Sequence, residues 1–392
     1  MATATPEVVF TSDLAPDVGM DAANGTGVPP MKAAVCRAFG APLSVEDLTL
    51  AAPGPGQVEV RMAACAICHS DIAYADGAWG GDVPTVLGHE AAGHVTRCGP
   101  GVVGLEVGTP VLVTLIKSCG ACPACEQDAP TSCARAWDSA PSPLTECNGT
   151  TVAQGMSTGA FAEAVVVDSS QVVALPRAMD MAVASLLSCG VLTGVGAVTN
   201  TAAMRPGQSC AVIGAGGVGL NTIQGAAIAG AAQIIAIDLS DDRLQIAHHF
   251  GATDGLRGDD PQHPEALRSL TNGRGVDYVF VAVGAAPVFA NAPALLAAGG
   301  AVVMVGLPPS GAMVSYEPTA LAALNQRLLG SRMGQAVPGR DIPWLLEHYA
   351  RGTLKLDPLV TGRYPLARIN DAIAETCSGR ALRNVIVFDQ DP

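Results

Sequence analysis

The sequence predicts an α/β protein in which a mainly β domain precedes a doubly wound parallel sheet. From residue 190 onward, buried-strand runs (CAVIGAG, QIIAID, VDYVFVAVG, AVVMVG) alternate with Ala-rich helical segments, as in βαβ units. Residues 31–185 instead carry short strand patterns that Gly and Pro separate. The composition suits a large packed core, since 49% of the 392 residues are hydrophobic and only 14% are charged.

Four segments follow one another along the chain. Residues 1–30 are rich in Ala, Gly, Pro and Asp and lack periodicity, so we expect a disordered extension. Residues 31–189 form the first domain, which opens with the strand-like run MKAAVCRAF. Residues 190–315 form the parallel-sheet domain. Residues 316–392 return to a mixed pattern that ends in a strand, RNVIVF.

Charge and cysteine content exclude several classes of protein. The net charge is −14 and no basic stripe is present, which argues against a nucleic-acid partner. No apolar run reaches the roughly 18 residues that a membrane span needs. The first thirty residues contain no Lys or Arg, so a secretory leader is not expected. We therefore expect a cytoplasmic protein, in which clustered cysteines are usually metal ligands.

Four cysteines stand close together with the spacing C-x2-C-x2-C-x7-C. Four thiolates within fifteen residues can enclose one tetrahedral Zn²⁺, and a site of four thiolates has no open position, which indicates a structural role. Free or disulfide-paired cysteines and an iron–sulfur cluster are the alternatives. The four residues are Cys119, Cys122, Cys125 and Cys133.

A second, dispersed set of metal ligands is also present. Cys68 and His89 lie in two turns of the first domain, and Cys189 directly precedes the second domain. Three protein ligands leave a fourth position for water or substrate, as in catalytic zinc sites, where the metal polarises a bound oxygen. Ser70 could remove the proton of an alcohol. Asp71 and Glu90 are candidates for orienting the ligands.

A glycine-rich loop marks a dinucleotide site. The segment GAGGVG fits G-x-G-x-x-G, follows the strand CAVI and precedes a helical pattern. The next strand ends in Asp238, nineteen residues after the last glycine, where a carboxylate accepts hydrogen bonds from ribose hydroxyls and repels a 2′-phosphate. Leu239 follows without an adjacent Arg, which favours NAD over NADP. The loop residues are Gly214, Gly216, Gly217, Val218 and Gly219.

These motifs together resemble the zinc-dependent medium-chain alcohol dehydrogenase family, nearest its aryl-alcohol and thiol-dependent formaldehyde dehydrogenase branches. The turn CHSD, the segment GHEAAG, the four cysteines, SCGVLTGVGA and GAGGVG occur in family order from about residue 31 to the end. The resemblance implies a GroES-like catalytic domain that holds two zinc ions, a Rossmann domain that binds NAD, and a return of the chain to the first domain.

The same resemblance assigns roles to individual residues. Cys68, His89 and Cys189 hold the catalytic zinc, the four clustered cysteines hold the structural zinc, Ser70 begins the proton relay and Glu90 lies beside the metal. Cofactor contacts fall on Thr193, Val218, Val283, Asp238, Arg243, Arg383 and His69. The implied reaction is hydride transfer from an alcohol, or its reverse. Ala73 stands where some members have a relay histidine, so the proton would leave through ribose and water or through His69.

The substrate follows from three pocket positions that the resemblance suggests: Trp79, Leu115 and Trp137. Thiol-dependent formaldehyde dehydrogenases carry a charged pair at the two tryptophan positions, so these apolar residues favour an apolar alcohol or aldehyde, aromatic ones included. Ordinary packing of both tryptophans is the alternative. Two other functions stay open: a glutathione- or mycothiol-dependent formaldehyde dehydrogenase, and a non-catalytic NAD-binding protein. A homodimer or homotetramer is implied, through an edge strand near 302–315.

Overall fold

The computed structural model describes residues 30–136, 138 and 141–389. The predicted extension therefore lies outside the described residues, apart from Pro30, and so does Trp137. No single helix within the described residues is long and apolar enough to cross a membrane, although the bent pair Met181–Ser188 and Gly190–Thr201 meets that test by length and composition.

Short strands dominate the first part of the chain, as Gly and Pro between apolar runs predict. Five of them close a small barrel in the order β1-β2-β7-β8-β4, and β10, β6, β5, β3 and β9 belong to a seven-stranded sheet. The strands are β1 Met31–Cys36, β2 Ser44–Leu50, β3 Gln57–Ala66, β4 Thr85–Val86, β5 Glu90–Cys98, β6 Pro110–Val113, β7 Leu144–Thr145, β8 Thr151–Gln154, β9 Ala164–Asp168 and β10 Val172–Ala174.

Four helices belong to this part of the chain, and the last of them leads into the second part. Helix α1 covers His69–Ala75 and α2 covers Pro123–Glu126, in the segment of the clustered cysteines. Helix α3 (Met181–Ser185) begins at Asp180, whose carboxylate accepts the Ala182 and Val183 N–H groups. Helix α4 (Gly190–Gly196) then leads through a π-turn into the second part.

The second part is a parallel six-stranded sheet in the order β13-β12-β11-β14-β15-β16, so the predicted doubly wound sheet is confirmed. Buried apolar runs form its inner strands, because helices cover both faces. The strands are β11 Ser209–Ile213, β12 Gln233–Asp238, β13 Asp254–Arg257, β14 Val276–Val281, β15 Leu296–Met304 and β16 Arg327–Gly330. The connecting helices are α5 Gly217–Ile228, α6 Asp241–His249, α7 His263–Leu270, α8 Ala286–Asn291 and α9 Pro318–Ala323.

Strand β16 corrects two expectations. It pairs in parallel with β15, so the second sheet extends past the boundary expected at residue 315. Strand β15 has partners on both sides and ends at Met304, so the segment 302–315 does not provide an edge strand. The sheet edge on this side is β16. Its short apolar run RLLG gave too weak a strand signal against the surrounding mixed pattern.

The last part of the chain returns to the first sheet. Helix α10 (Pro338–Ala350) leads to β17 (Val360–Pro365), then to α11 (Ile369–Cys377) and β18 (Arg383–Val387). Strand β18 pairs with β3, with Val385 opposite Ala66, and so brings Arg383 close to the end of β3. One hydrophobic core runs through both parts and includes side chains from β3, α3, α4, β11 and α5.

Candidate active site

Four side chains that could bind a metal meet at the junction of the two parts. The ligand atoms of Cys68, His89, Glu90 and Cys189 all lie within 4.8 Å of one another, and all four residues are buried. The β3–β5 pairing explains half of this arrangement, because Ala66 lies opposite Glu90 and places Cys68 beside His89. Cys189 comes from the turn that joins the two parts, so these residues assemble only when both parts pack together.

Asp71 fixes the loops that carry Cys68 and His89. Its carboxylate accepts the Cys68 N–H at 3.1 Å and the Gly88 N–H at 2.9 Å, and lies 3.0 Å from His89 Nδ1. The opposite atom, His89 Nε2, is buried without a hydrogen-bond partner in the described part of the chain. A buried ring nitrogen left free in this way, beside two thiols, is suited to bind a metal.

The thiols of this cluster are electrostatically coupled. The pKa of Cys68 lies well below its ordinary value, because Cys189 donates a hydrogen bond to it and His89 adds positive charge, which outweigh burial. The pKa of Cys189 is correspondingly raised, by the same hydrogen bond and by burial. Burial opposes a positive charge on His89, but Asp71 and Cys68 raise its pKa well above the ordinary value. Two thiols and an imidazole nitrogen are the donor set of zinc sites with an open position, so the residues fit a zinc ion.

Glu90 connects this cluster to the C-terminal strand. Its carboxylate forms a buried ion pair with Arg383, with Oε1 3.2 Å from Nη2. Burial raises the pKa of the Glu90 carboxyl to about 8 despite this positive charge. Arg383 also lies against two helix starts: a Cβ added to Gly190 would be 1.8 Å from Nη2, and one added to Gly217 would be 2.6 Å from Nε. The guanidinium thus lies between the metal-ligating cluster and the glycine-rich loop.

The glycine-rich loop has the backbone that its sequence predicts. Gly214 has a φ of 96°, and a Cβ on Gly219 would lie 1.7 Å from the Gly214 carbonyl oxygen, so neither position accepts a side chain. Helix α5 begins directly after Gly216, with its first N–H groups free to meet an anion. Val283 adjoins the loop, since its Cγ1 would be 2.4 Å from a Cβ on Gly214.

Asp238 and Arg243 form hydrogen bonds to the backbone of this loop. Asp238 accepts the Ala215 N–H at 2.7 Å and the Ser240 N–H at 3.1 Å. Arg243 donates to the Ala215 carbonyl at 3.2 Å and to the Gly379 carbonyl, so it also connects the loop to the segment before β18. His69 is exposed at the start of α1; partial desolvation and the charges of Arg383 and Arg243 lower the pKa of His69.

Helices α4 and α5 bring the nicotinamide-side candidates together. A Cβ on Gly194 would lie 2.6 Å from the Val218 carbonyl oxygen, so the two helices pack with almost no space between their backbones. Thr193, next to Gly194, has its Oγ1 3.9 Å from Cys189 Sγ. The structure therefore places Thr193 beside the metal-ligating cluster and Val218 on the adjoining helix.

The four clustered cysteines form a separate centre, which we term the four-cysteine lobe (residues 119–133). Their sulfur atoms lie within 4.8 Å of one another. Backbone N–H groups of Cys119 and Arg135 each lie 3.4 Å from Cys133 Sγ, and hydrogen bonds from Cys125 and Ala134 lower the pKa of Cys122 to about 6. All twelve cysteines lie among the described residues and all are free thiols, so no disulfide competes with metal binding.

Comparison with known proteins identifies the family. The model of the alcohol dehydrogenase GroES-like domain matches residues 54–177, and that of the zinc-binding dehydrogenase matches residues 217–351. An alcohol dehydrogenase zinc-binding domain protein from Burkholderia ambifaria is 32% identical, with a TM-score of 0.88 over 92% of this chain and 100% of that one. The chain belongs to the zinc-binding alcohol dehydrogenase family. The GroES-like and Rossmann-type domains expected from the sequence are confirmed.

Two further structures in this family are similar over 92% of the chain. Benzyl alcohol dehydrogenase from Acinetobacter calcoaceticus is 27% identical, with a TM-score of 0.86 and all of its own length covered. A zinc-binding dehydrogenase from Sinorhizobium meliloti 1021, bound to NADP, is 26% identical, with a TM-score of 0.76 and 99% of its length covered. The zinc-binding alcohol dehydrogenase family thus accounts for both halves of this chain.

Three further predicted residues, Ser70, Leu115 and Trp79, are all half-buried. Ser70 is half-buried in the first turn of α1, directly after Cys68 and His69, and Leu115 is half-buried after β6. Trp79 is also half-buried; its ring meets Tyr74 edge-on at 5.1 Å and its Nε1–H donates to the Pro308 carbonyl at 3.2 Å. Trp79 therefore contacts the second domain as well as the first.

Sequence reasoning missed Met333 in this family site. Its Sδ lies 3.7 Å from Cys189 Sγ and 3.6 Å from Thr193 Oγ1. The residue follows β16 in the segment GSRMGQ, more than 140 positions from Cys189, and a single methionine there gives no functional signal. Only the packing of that turn against α4 reveals the contact.

Proposed function

We propose that the protein is a zinc-dependent dehydrogenase that transfers hydride between an apolar primary alcohol, aromatic alcohols included, and NAD. The observation that carries the proposal is the buried set of two thiols and an imidazole, whose free Nε2 atom points to a metal. Arg383 joins this set to the glycine-rich loop, which supports one reaction centre between metal and dinucleotide.

Cys68, His89 and Cys189 would hold the catalytic zinc, and the four-cysteine lobe would hold a structural one. When bound, a zinc ion at the first site supplies Lewis acidity to an alcohol or carbonyl oxygen. Asp71 keeps the His89 ring oriented through Nδ1, which fixes Nε2 as the ligating atom. Glu90 stays close to the ligands and balances the charge of Arg383.

Ser70 is the proposed acceptor of the alcohol proton. It is half-buried in the helical turn that Cys68 begins, so a hydroxyl bound at the cluster would lie near it. As this proton leaves, the hydrogen on the adjacent carbon must leave with its electron pair, and bound NAD supplies the acceptor for that pair. Ala73 cannot continue a relay, so the proton reaches solvent through ribose and water or through the exposed His69.

Asp238 supports the choice of NAD. Its carboxylate stands at the end of β12, already holds the Ala215 N–H, and would repel a 2′-phosphate placed beside it. The next residue, Leu239, is 65% exposed and apolar, so this position offers no cation to a 2′-phosphate. Thr193, Val218 and Val283 would face the nicotinamide. Arg383 supplies positive charge toward the pyrophosphate, which His69 would also face, and Arg243 would contact the adenosine ribose.

Trp79 and Leu115 support an apolar substrate. An apolar wall favours apolar alcohols by excluding water and offers no charged group to a thiol adduct. The similarity to benzyl alcohol dehydrogenase agrees with this choice, and Trp137 would extend the same wall. As in the family resemblance, we propose a homodimer or homotetramer, with β16 as the sheet edge available for assembly.

A substrate and cofactor panel on metal-replete enzyme tests the proposal. We expect kcat/KM for benzyl or medium-chain alcohols to exceed that for ethanol, with NAD preferred over NADP and two zinc ions per chain by metal analysis. Equal turnover of ethanol would refute the apolar pocket. A strict requirement for glutathione or mycothiol would instead identify a formaldehyde dehydrogenase, and one zinc per chain without turnover a non-catalytic protein.

A further inference from the structure

The turn after β16 has an unusual backbone. Met333, Gly334 and Gln335 follow one another with φ values of 50°, 62° and 48°. Only glycine occupies this left-handed region without cost, so Met333 and Gln335 need support from their surroundings. We call residues 332–335 the left-handed turn. Because Met333 lies beside Cys189, the contacts that support this turn also determine the surroundings of the Cys189 sulfur.

One support comes from α4 and the π-turn that follows it. Asn200 Nδ2 donates to the Gly334 carbonyl at 3.2 Å, and a Cβ on Gly196 would lie 2.6 Å from the same oxygen. These contacts hold the middle of the turn close to the helix that Cys189 begins. They position the Gly334 backbone against α4. Met333 and Gln335 need further contacts to support their left-handed conformation.

The second support comes from the four-cysteine lobe. Arg332 Nη1 donates to the Thr131 carbonyl at 2.7 Å, two residues before Cys133. Burial lowers the pKa of the Arg332 guanidinium, while Tyr74 and the Cys133 thiol act in the opposite direction. Because the acceptor is a backbone oxygen, its position depends on how the lobe folds around its four cysteines.

Arg332 and Met333 therefore face the two different cysteine centres from adjacent positions. Met333 is 8% exposed and covers the sulfur of Cys189, whereas Arg332 reaches the lobe. We propose that Arg332 is a positioning residue, which anchors the left-handed turn to the four-cysteine lobe and so holds Met333 against Cys189 and Thr193. The lobe then acts on the reaction centre through the Arg332 side chain. The kinetic part of this inference rests on the proposed function.

Arg332→Gln tests the proposal with two readouts. In the protein as purified, iodoacetamide should alkylate Cys189 several-fold faster than in wild type, measured by peptide mass spectrometry, because Met333 no longer covers the sulfur. Hydride transfer should slow about tenfold, as small displacements in an active site do, with a larger deuterium isotope effect and an unchanged KM for NAD. Arg332→Lys, which can still reach the carbonyl, should restore both values toward wild type.

Arg135→Gln is the matched control, since Arg135 lies two residues after the lobe and its side chain pairs with the exposed Asp138. It should leave labelling and rates at their wild-type values. Cys125→Ser disturbs the lobe directly, and should reproduce the effects of Arg332→Gln but add nothing to them in the double variant. If Arg332→Gln folds poorly, the labelling of Cys189 in Cys125→Ser still tests whether the lobe holds Met333 in place.

Wild-type labelling of Cys189 in Arg332→Gln, or fully additive effects of the two variants, would overturn the proposal. These outcomes differ from a failure of the proposed function. If the wild-type protein oxidised no alcohol, the labelling of Cys189 would still decide whether Arg332 positions Met333.

Discussion

The two cysteine centres are built in opposite ways. The four-cysteine lobe takes its four sulfur atoms from one stretch of fifteen residues, and Cys119 and Cys125 remain partly exposed. The site of Cys68, His89 and Cys189 is fully buried and takes its residues from two separate segments of the first domain and from the turn that joins the two domains. A packed core already assembles the second site, whereas few contacts besides a metal order the first. Metal loss should therefore unfold the lobe but leave Cys68, His89 and Cys189, which we call the dispersed site, close together.

The largest effect should come from Cys189→Ser compared with Cys125→Ser. Cys189→Ser removes a ligand from the preassembled site, so we expect kcat to fall about 10³-fold or more, since metal-activated chemistry is lost. Melting temperature should change little. Cys125→Ser should instead lower the melting temperature markedly while activity falls only about tenfold. Activity assays, thermal denaturation and zinc analysis measure these outcomes; equal loss of activity in both variants would contradict the contrast.

Ser70→Ala should come next. If Ser70 takes the alcohol proton, hydride transfer should slow about 10²-fold, the usual size of a general-base contribution. Zinc content and stability should stay unchanged. Ser132→Ala provides the matched control, since Ser132 is an exposed serine directly before Cys133. Single-turnover kinetics measure the step, and an unchanged rate in Ser70→Ala would remove the relay assignment.

Asp238→Ala tests how far the dispersed site reaches into the second domain. Loss of the Ala215 hydrogen bond and of the ribose acceptor should raise the KM for NAD about tenfold, the effect of one charged hydrogen bond. The preference for NAD over NADP should shrink as well. Asp242→Ala, an exposed carboxylate in the first turn of α6, should change neither value. Cofactor titrations of both variants would show whether Asp238 acts as proposed.

The smallest effect concerns stability. Asp180 begins α3 and pairs with Arg363, 183 positions away, so Asp180→Ala should cost about 1 kcal/mol of unfolding free energy, mainly through the lost cap. The Arg363 hydrogen bond lowers the pKa of Asp180, so this contribution is present above the ordinary carboxyl pKa and disappears as the pH falls below it. Asp138→Ala, which breaks the exposed local pair with Arg135, should lower the free energy of unfolding by less than Asp180→Ala does. Denaturant titrations at neutral and acid pH would measure both.

Most features that could be predicted from the sequence depend on residues close together in the chain. The glycine-rich loop, the parallel sheet and the four-cysteine spacing each lie within about one motif's length, so geometry follows from spacing. Residue type alone suggested the dispersed ligands, and the family resemblance then assigned them to one zinc, because Cys68 and Cys189 are 121 positions apart in the sequence. Met333, Arg332 and the strand β16 were missed or misplaced for the same physical reason. Their positions depend on tertiary contacts, which no periodicity encodes: Met333 packs against α4, Arg332 reaches the four-cysteine lobe, and β16 pairs with β15.

The pairing of β18 with β3 has a consequence for biosynthesis. Cys68 emerges from the ribosome early, but the guanidinium that neutralises Glu90 and closes the site, that of Arg383, is added 315 residues later. Until that strand docks, the nascent chain exposes an acidic residue and two reactive thiols in an incomplete sheet. The proposed site therefore reaches its final arrangement only after β18 has docked.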